Sequence, residues 1–192
     1  PFGLAALNLF FFYKESKYKI FADKIYEKVI LDNINKSNLV DYRKGFDLIL
    51  CDTLGMVVPF LVEYYNVTLN INALNIAKSQ LDYYIKNGID KETHIPVHGV
   101  EFKSNIKGGS INWGRGIGWY LLAISKLYQS TGDYENEFKA ICESLNKVRN
   151  KENLFSQFPG SSIQFDASTS TMFYYSFSFF KKNKYNKIFI LD

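Results

Sequence analysis

The segment Leu48–Leu61, LILCDTLGMVVPFL, holds one charge, Asp52, among otherwise apolar residues. An unpaired buried charge costs several kcal/mol, so such a group is paired, hydrogen-bonded or protonated. Two roles fit Asp52. It can cap a helix beginning at Thr53, or it can act as a general acid, because apolar surroundings favour the neutral carboxyl. The segment alone favours the commoner role, the cap. Downstream, NWGRGIGWYLLAI sets Trp113, Arg115 and Trp119 among Gly114, Gly116 and Gly118. Each glycine costs a helix roughly 1 kcal/mol relative to alanine, so the three mark close approach of backbone to a ligand or another helix. A flat aromatic ring beside a guanidinium suits a sugar carrying a carboxylate, which arginine binds through two parallel hydrogen bonds. A tightly packed helix start with Arg115 in a structural ion pair fits the same residues equally well.

The elements that must hold these groups are helical nearly throughout. Phe2–Tyr13 is apolar on almost every side, as a buried helix would be, and Leu48–Tyr65 reads the same way. Trp119–Tyr128 and the aromatic-rich Ala167–Phe180 complete a buried set. Between them lie amphipathic stripes: Tyr18, Phe21, Ala22, Ile25 and Val29; Leu74, Ala77, Leu81 and Tyr84; Phe138, Ile141, Cys142, Leu145 and Val148. Buried and amphipathic helices thus alternate, joined at three places by short polar turns. The spacing is too long for the roughly 34-residue helical repeats and fits helix hairpins with long return loops. The expected fold is all-α, an incomplete α/α toroid of about seven helices in one domain over residues 1–192. Two return segments are long and non-helical, Ile34–Asp47 and Asn87–Asn112, and long loops in a helical domain are commonly functional. The second carries both histidines, His94 and His98, and the pair Gly108–Gly109.

Composition bounds the function. With 192 residues, 47% hydrophobic and 17% aromatic, the chain can build a core. Net charge is +4; the basic cluster Lys181, Lys182, Lys184 and Lys187 reads as a solvated helix end, and nucleic acid is not an expected partner. No run reaches the ~18 apolar residues of a membrane span. Cys51 and Cys142 occupy apolar helical positions without a partner motif, which points to free thiols in a reducing, cytoplasmic setting with neither metal nor cofactor. The chain starts at Pro1, already inside an apolar run, which suggests a processed product or a piece of a longer protein.

Four stretches, DTLGMVVPFLVEYY, HGVEFKS, WGRGIGWYLLAI and FDASTSTMFYYSFS, occur in the order and approximate spacing of glycoside hydrolase families 88 and 105. The chain resembles these unsaturated glucuronyl and unsaturated rhamnogalacturonyl hydrolases from about Phe2 to Lys187. The resemblance implies an (α/α)6 barrel, of which this chain is a part truncated at both ends, and a substrate left by polysaccharide lyases. That substrate is an oligosaccharide whose terminal uronic acid has a C4=C5 double bond. A carboxylic acid protonates C4, water adds at C5, and the hemiketal collapses to release the sugar chain. By this resemblance Asp52 is the acid/base, and the balance for that residue tips from cap to acid. His98, Trp113 and Arg115 take positions that bind the sugar. Trp119 reads as core, Asp166 as the cap of the last helix, and Ser168 and Ser170 as small packing residues.

The sequence also departs from the family pattern. Val100 and Glu101 follow the His98–Gly99 pair where tryptophan and aspartate are usual, so a stacking surface is missing there. A second family aspartate would fall upstream of Pro1, and Asp23, Asp32 and Asp47 are not substitutes. An incomplete ring exposes apolar faces that invite self-association. Two other readings stand beside the hydrolase: a non-catalytic carbohydrate-binding or scaffold remnant, and a sugar isomerase or epimerase on the same toroid.

Overall fold

The structure, a computed structural model, describes residues 1–109, 111 and 113–179 of the chain. The four C-terminal lysines and Phe180 lie outside that set. Seven α-helices occur among the described residues: α1 (Phe2–Tyr13), α2 (Ser16–Ile25), α3 (Cys51–Thr68), α4 (Ile71–Gly88), α5 (Gly114–Thr131), α6 (Glu135–Asn146) and α7 (Ala167–Phe177). They form three hairpins followed by α7. Each hairpin turns where the first helix ends in a left-handed residue, Lys14, Leu69 or Gly132, which returns its amide to the last helical turn and stops propagation. The odd-numbered helices pack side by side in the order α1, α3, α5, α7; α2, α4 and α6 pair with α1, α3 and α5. This is the expected toroid arrangement, as an open array.

The stripes on α4 and α6 bury nearly as read: Leu74, Ala77, Leu81 and Tyr84, and Phe138, Ile141, Cys142 and Leu145, are buried, while Val148 lies past the end of α6 and is partly buried. The stripe on α2 does not. Ala22, Tyr26 and Ile30 are buried and Ile25 packs against the core, while Phe21 and Val29 are exposed; Val29 lies in Tyr26–Ile30, which continues α2 as a π-helical turn. The reading of α1 as buried on all sides is also corrected. Gly3, Ala6 and Leu7 face the array, whereas Phe2 and Phe12 are 78% and 75% exposed. Among the described residues α1 packs chiefly against α2 and α3, and no other helix packs extensively on its remaining side.

Sequence periodicity did not show a small antiparallel sheet, β1 (Leu48–Leu50), β2 (Gly99–Glu101) and β3 (Lys107–Gly108), in the order β1-β2-β3. Leu48–Leu50 therefore leaves the helix expected from Leu48, and α3 begins at Cys51. Its ladder ties together the two long return segments. The first of these is also pinned from α4, where the buried Gln80 side chain accepts from the Val40 amide at 2.8 Å and donates to its carbonyl at 3.0 Å. That pairing satisfies both polar groups of Val40 inside the core.

Candidate functional site

Strand β1 runs straight into α3: Leu50 is extended and Cys51 is already helical. The register pairs Leu48 with Glu101, Ile49 with Val100 and Leu50 with Gly99. One step past the last pair, the Cys51 amide donates to the His98 carbonyl at 2.9 Å. This ladder brings Asp52 against His98 across 46 positions of sequence, with Asp52 Oδ2 3.8 Å from His98 Nδ1. That is too long for a hydrogen bond and leaves the two side chains facing one another. Both facing atoms are buried without a hydrogen-bond partner among the described residues, yet the side chains as wholes are 27% and 32% exposed, so the pair borders solvent.

One glycine of the loop has a specific role here. Gly109 has φ +81°, and a Cβ on it would lie 2.5 Å from His98 Cβ. Only glycine meets both demands. On the other side of His98 stands Trp113, edge-on at 4.8 Å between ring centres and 83° between planes. The Arg115 guanidinium lies over the Trp113 ring at 5.5 Å, and Arg115 Nη1 donates to Asp166 Oδ2 at 3.3 Å. Asp166 Oδ1 accepts from the Thr169 amide at 2.8 Å and caps α7. Asp52, His98, Trp113, Arg115 and Asp166 thus form one contiguous row at the N-terminal ends of α3, α5 and α7. Helix N-termini carry unpaired amides and partial positive charge, which favour an anionic group.

The glycines of WGRGIGW permit the packing beneath this row. A Cβ at Gly114 would meet Thr169 at 2.5 Å, one at Gly116 the Trp113 ring at 2.7 Å, and one at Gly118 the Met172 side chain at 2.8 Å. They bring α5 against α7 and fold Trp113 back over its own helix.

Residues 2–187 match the model of Glycosyl Hydrolase Family 88. The chain belongs to that family. Among solved structures, a family 105 glycoside hydrolase of C. acetobutylicum ATCC 824 superposes with TM-score 0.80 at 18% identity, covering 97% of this chain and 59% of that one. A family 88 glycosyl hydrolase from Bacteroides vulgatus gives 0.71 at 16%, covering 97% and 57%. The GH76A alpha-1,6-mannanase of Salegentibacter sp. HEL1_6 gives 0.63 at 15%, covering 92% and 60%. At such identities the likeness is one of fold, and the chain spans little over half the length of the solved chains it matches. No curated protein matches the sequence.

Within this family 88 chain the geometry revises several expectations. Asp52 does not cap α3; Leu50 holds the cap position and Asp52 sits in the first turn, so its carboxylate is left for His98. Asp166 does cap, as expected, and the pairing of Arg115 with Asp166 is the structural ion pair that the sequence left open. Trp119 packs against the core, and Ser170 is buried, its hydroxyl bonded to the backbone of Phe155; Ser168, read as a packing residue too, is exposed. His94 is exposed in a left-handed turn and lines a separate cleft with Tyr120 and Glu137. Val100 points into the core, and Glu101 accepts from the amides of Lys103 and Ser104; no aromatic surface replaces the missing one at these two positions. Clefts of about 250 and 290 Å³ lie along α3, lined by Met56 and Phe60 or by Met56 and Trp119; Asp52, His98, Trp113 and Arg115 line neither. Among the described residues no three of the His, Cys, Asp and Glu side chains cluster to hold a metal, and no helix is long and apolar enough to cross a membrane.

Beneath Asp52, burial pushes the Cys51 thiol up to about 12, with the polar contact to the Tyr84 hydroxyl acting against it and the Asp52 charge adding to it. Burial likewise drives the Tyr84 phenol far above its ordinary value. Each group is neutral when protonated, so folding holds the proton more tightly than the unfolded chain does. The stability this contributes is complete below the ordinary thiol value of 9.0 and is lost as pH rises from there toward 12. Urea midpoints are expected to hold steady up to about pH 9 and then fall through the Cys51 range. In a Cys51→Ala variant the fall across that window should be shallower. An identical slope in both proteins would refute the assignment.

Proposed function

We propose that this family 88 chain acts on an unsaturated uronyl oligosaccharide by hydrating its C4=C5 double bond. The observation that supports this most directly is the unpartnered Asp52–His98 pair at the foot of the Trp113–Arg115 stack. Arg115 receives the substrate carboxylate, since a guanidinium has five donors in a fork that matches that anion, and its bond to Asp166 engages one nitrogen. Trp113 offers its ring to the apolar face of the sugar. In the reaction the Asp52 carboxyl gives its proton to C4 while a water oxygen bonds to C5. The carboxylate so formed takes the proton released by that water, which restores the acid. The hemiketal at C5 then breaks its C5–O5 bond to give a ketone and a hemiacetal at C1. That hemiacetal breaks its bond from C1 to the glycosidic oxygen, leaving an aldehyde and releasing the remaining chain as an alcohol.

The test is the ultraviolet absorbance of the conjugated double bond, followed with a panel of unsaturated glucuronyl and rhamnogalacturonyl disaccharides. Loss of absorbance on one of them supports the reading, and Arg115→Ala should then raise KM roughly 10- to 100-fold with kcat little changed, the range expected for a lost charged hydrogen bond. A competing reading is a non-catalytic carbohydrate-binding protein of this fold, favoured by the ion pair that already engages Arg115 with Asp166. Binding of the disaccharide without decay of absorbance would establish that reading instead.

A further inference from the structure

We infer that Cys51 and Tyr84 are positioning residues that set the distance between Asp52 and His98, an inference that rests on the proposed hydration reaction for its functional meaning. Among the described residues neither facing atom of the Asp52–His98 pair has a hydrogen bond of its own, so their separation is set by the backbones that carry them. Those backbones meet at Cys51. Its amide holds the His98 carbonyl at 2.9 Å, and its thiol holds the carbonyl of the preceding residue, Val97, at 3.1 Å. The Tyr84 hydroxyl, from α4, donates to the same Val97 carbonyl at 2.5 Å and lies 3.2 Å from the Cys51 sulfur.

Cys51, Tyr84 and Val97 are 1%, 0% and 3% exposed, so this triangle is sealed from water. It contains two protons for three edges. The Val97 carbonyl has two lone pairs and can accept from both donors at once. Without either donor that carbonyl would be a buried, unsatisfied acceptor. The knot therefore clamps the start of β2 to the start of α3, on the two residues that precede His98 and Asp52. A thiol at position 51 has no nucleophilic task there, being buried and held protonated; its use is geometric. Displacement of about 1 Å at a reacting pair can cost on the order of 100-fold in rate.

Tyr84→Phe keeps the ring and removes only the hydroxyl, and Cys51→Ala removes only the sulfur. Each should lower kcat on the unsaturated disaccharide roughly 10-fold with KM within about 3-fold, and the double variant should lose more than the product of the two, because Val97 then has no donor. Cys51→Ser, whose hydroxyl can still donate to Val97, should restore most of the rate. Equal kcat in folded Tyr84→Phe and parent, or a change confined to KM, would overturn the inference. If the parent turns over no substrate, the proposed function has failed on its own account. The inference is then decided by proton NMR, which is simple because the chain has only two histidines. The His98 imidazole resonance should move in Tyr84→Phe and in Cys51→Ala and return in Cys51→Ser, with His94 unmoved. A His98 resonance unchanged across these variants overturns the positioning role.

Discussion

Asp52→Asn is expected to reduce hydration of the unsaturated uronyl substrate about 1,000-fold, within the range of a lost general acid or base, while leaving the protein folded. The asparagine side chain has the same shape and can face His98, but its amide cannot give a proton to carbon. The stability cost is small by comparison. Asp52 Oδ2 makes no hydrogen bond, and a first-turn carboxylate contributes only about 0.3–1 kcal/mol through the helix dipole. For a chain of this length that moves Tm by at most about 4 °C. Kinetics and a melting curve on one preparation separate the two effects. Retention of more than about a tenth of the parent rate would remove Asp52 from the proton-transfer step, whatever its position.

The second large effect falls on the fold. A Cβ added at Gly55 would lie 2.5 Å from Trp119 Cε3, 2.8 Å from the Trp119 carbonyl oxygen and 2.9 Å from its Cα. Two of those atoms are backbone, so no side-chain rotation relieves the contact and α3 must move away from α5. Gly55→Ala would gain about 1 kcal/mol of helix propensity, yet forced separation of a packed helix pair costs about 1–3 kcal/mol or more. The clash should win, and Tm should fall by roughly 5 °C. The α3–α5 contact also sets the distance between Asp52 and Trp113, so activity should fall with it. Gly108→Ala is the matched control, since a Cβ there has nothing within 4 Å and its effect should stay within about 0.5 kcal/mol. A Gly55→Ala protein that melts with the parent would show that the two helices have room to spare.

The expected architecture and the observed one agree where burial is set by period alone. The stripes of α4 and α6 were legible because a residue every 3.6 positions faces one neighbour, and that neighbour is the partner in the same hairpin. The errors fell where a longer-range partner decides the outcome. LIL ahead of Cys51 is too short and too uniformly apolar to tell strand from helix; it becomes a strand because Gly99–Glu101 lies beside it. Phe2–Tyr13 reads as buried, but burial depends on how many neighbours flank α1.

By itself the sequence determined the alternation of helices, the presence of Asp52, His98, Trp113 and Arg115, and, through the order of its motifs, a resemblance to families 88 and 105. Residue types and local spacing carry those facts. Tertiary structure alone decided that Asp52 faces His98 rather than capping α3, that Asp166 holds Arg115, and that Cys51 and Tyr84 clamp the strand beneath them. Each of these joins residues from 33 to 51 positions apart, and a contact between distant residues depends on the ladder register and helix packing that bring them together, which no local pattern in the chain encodes.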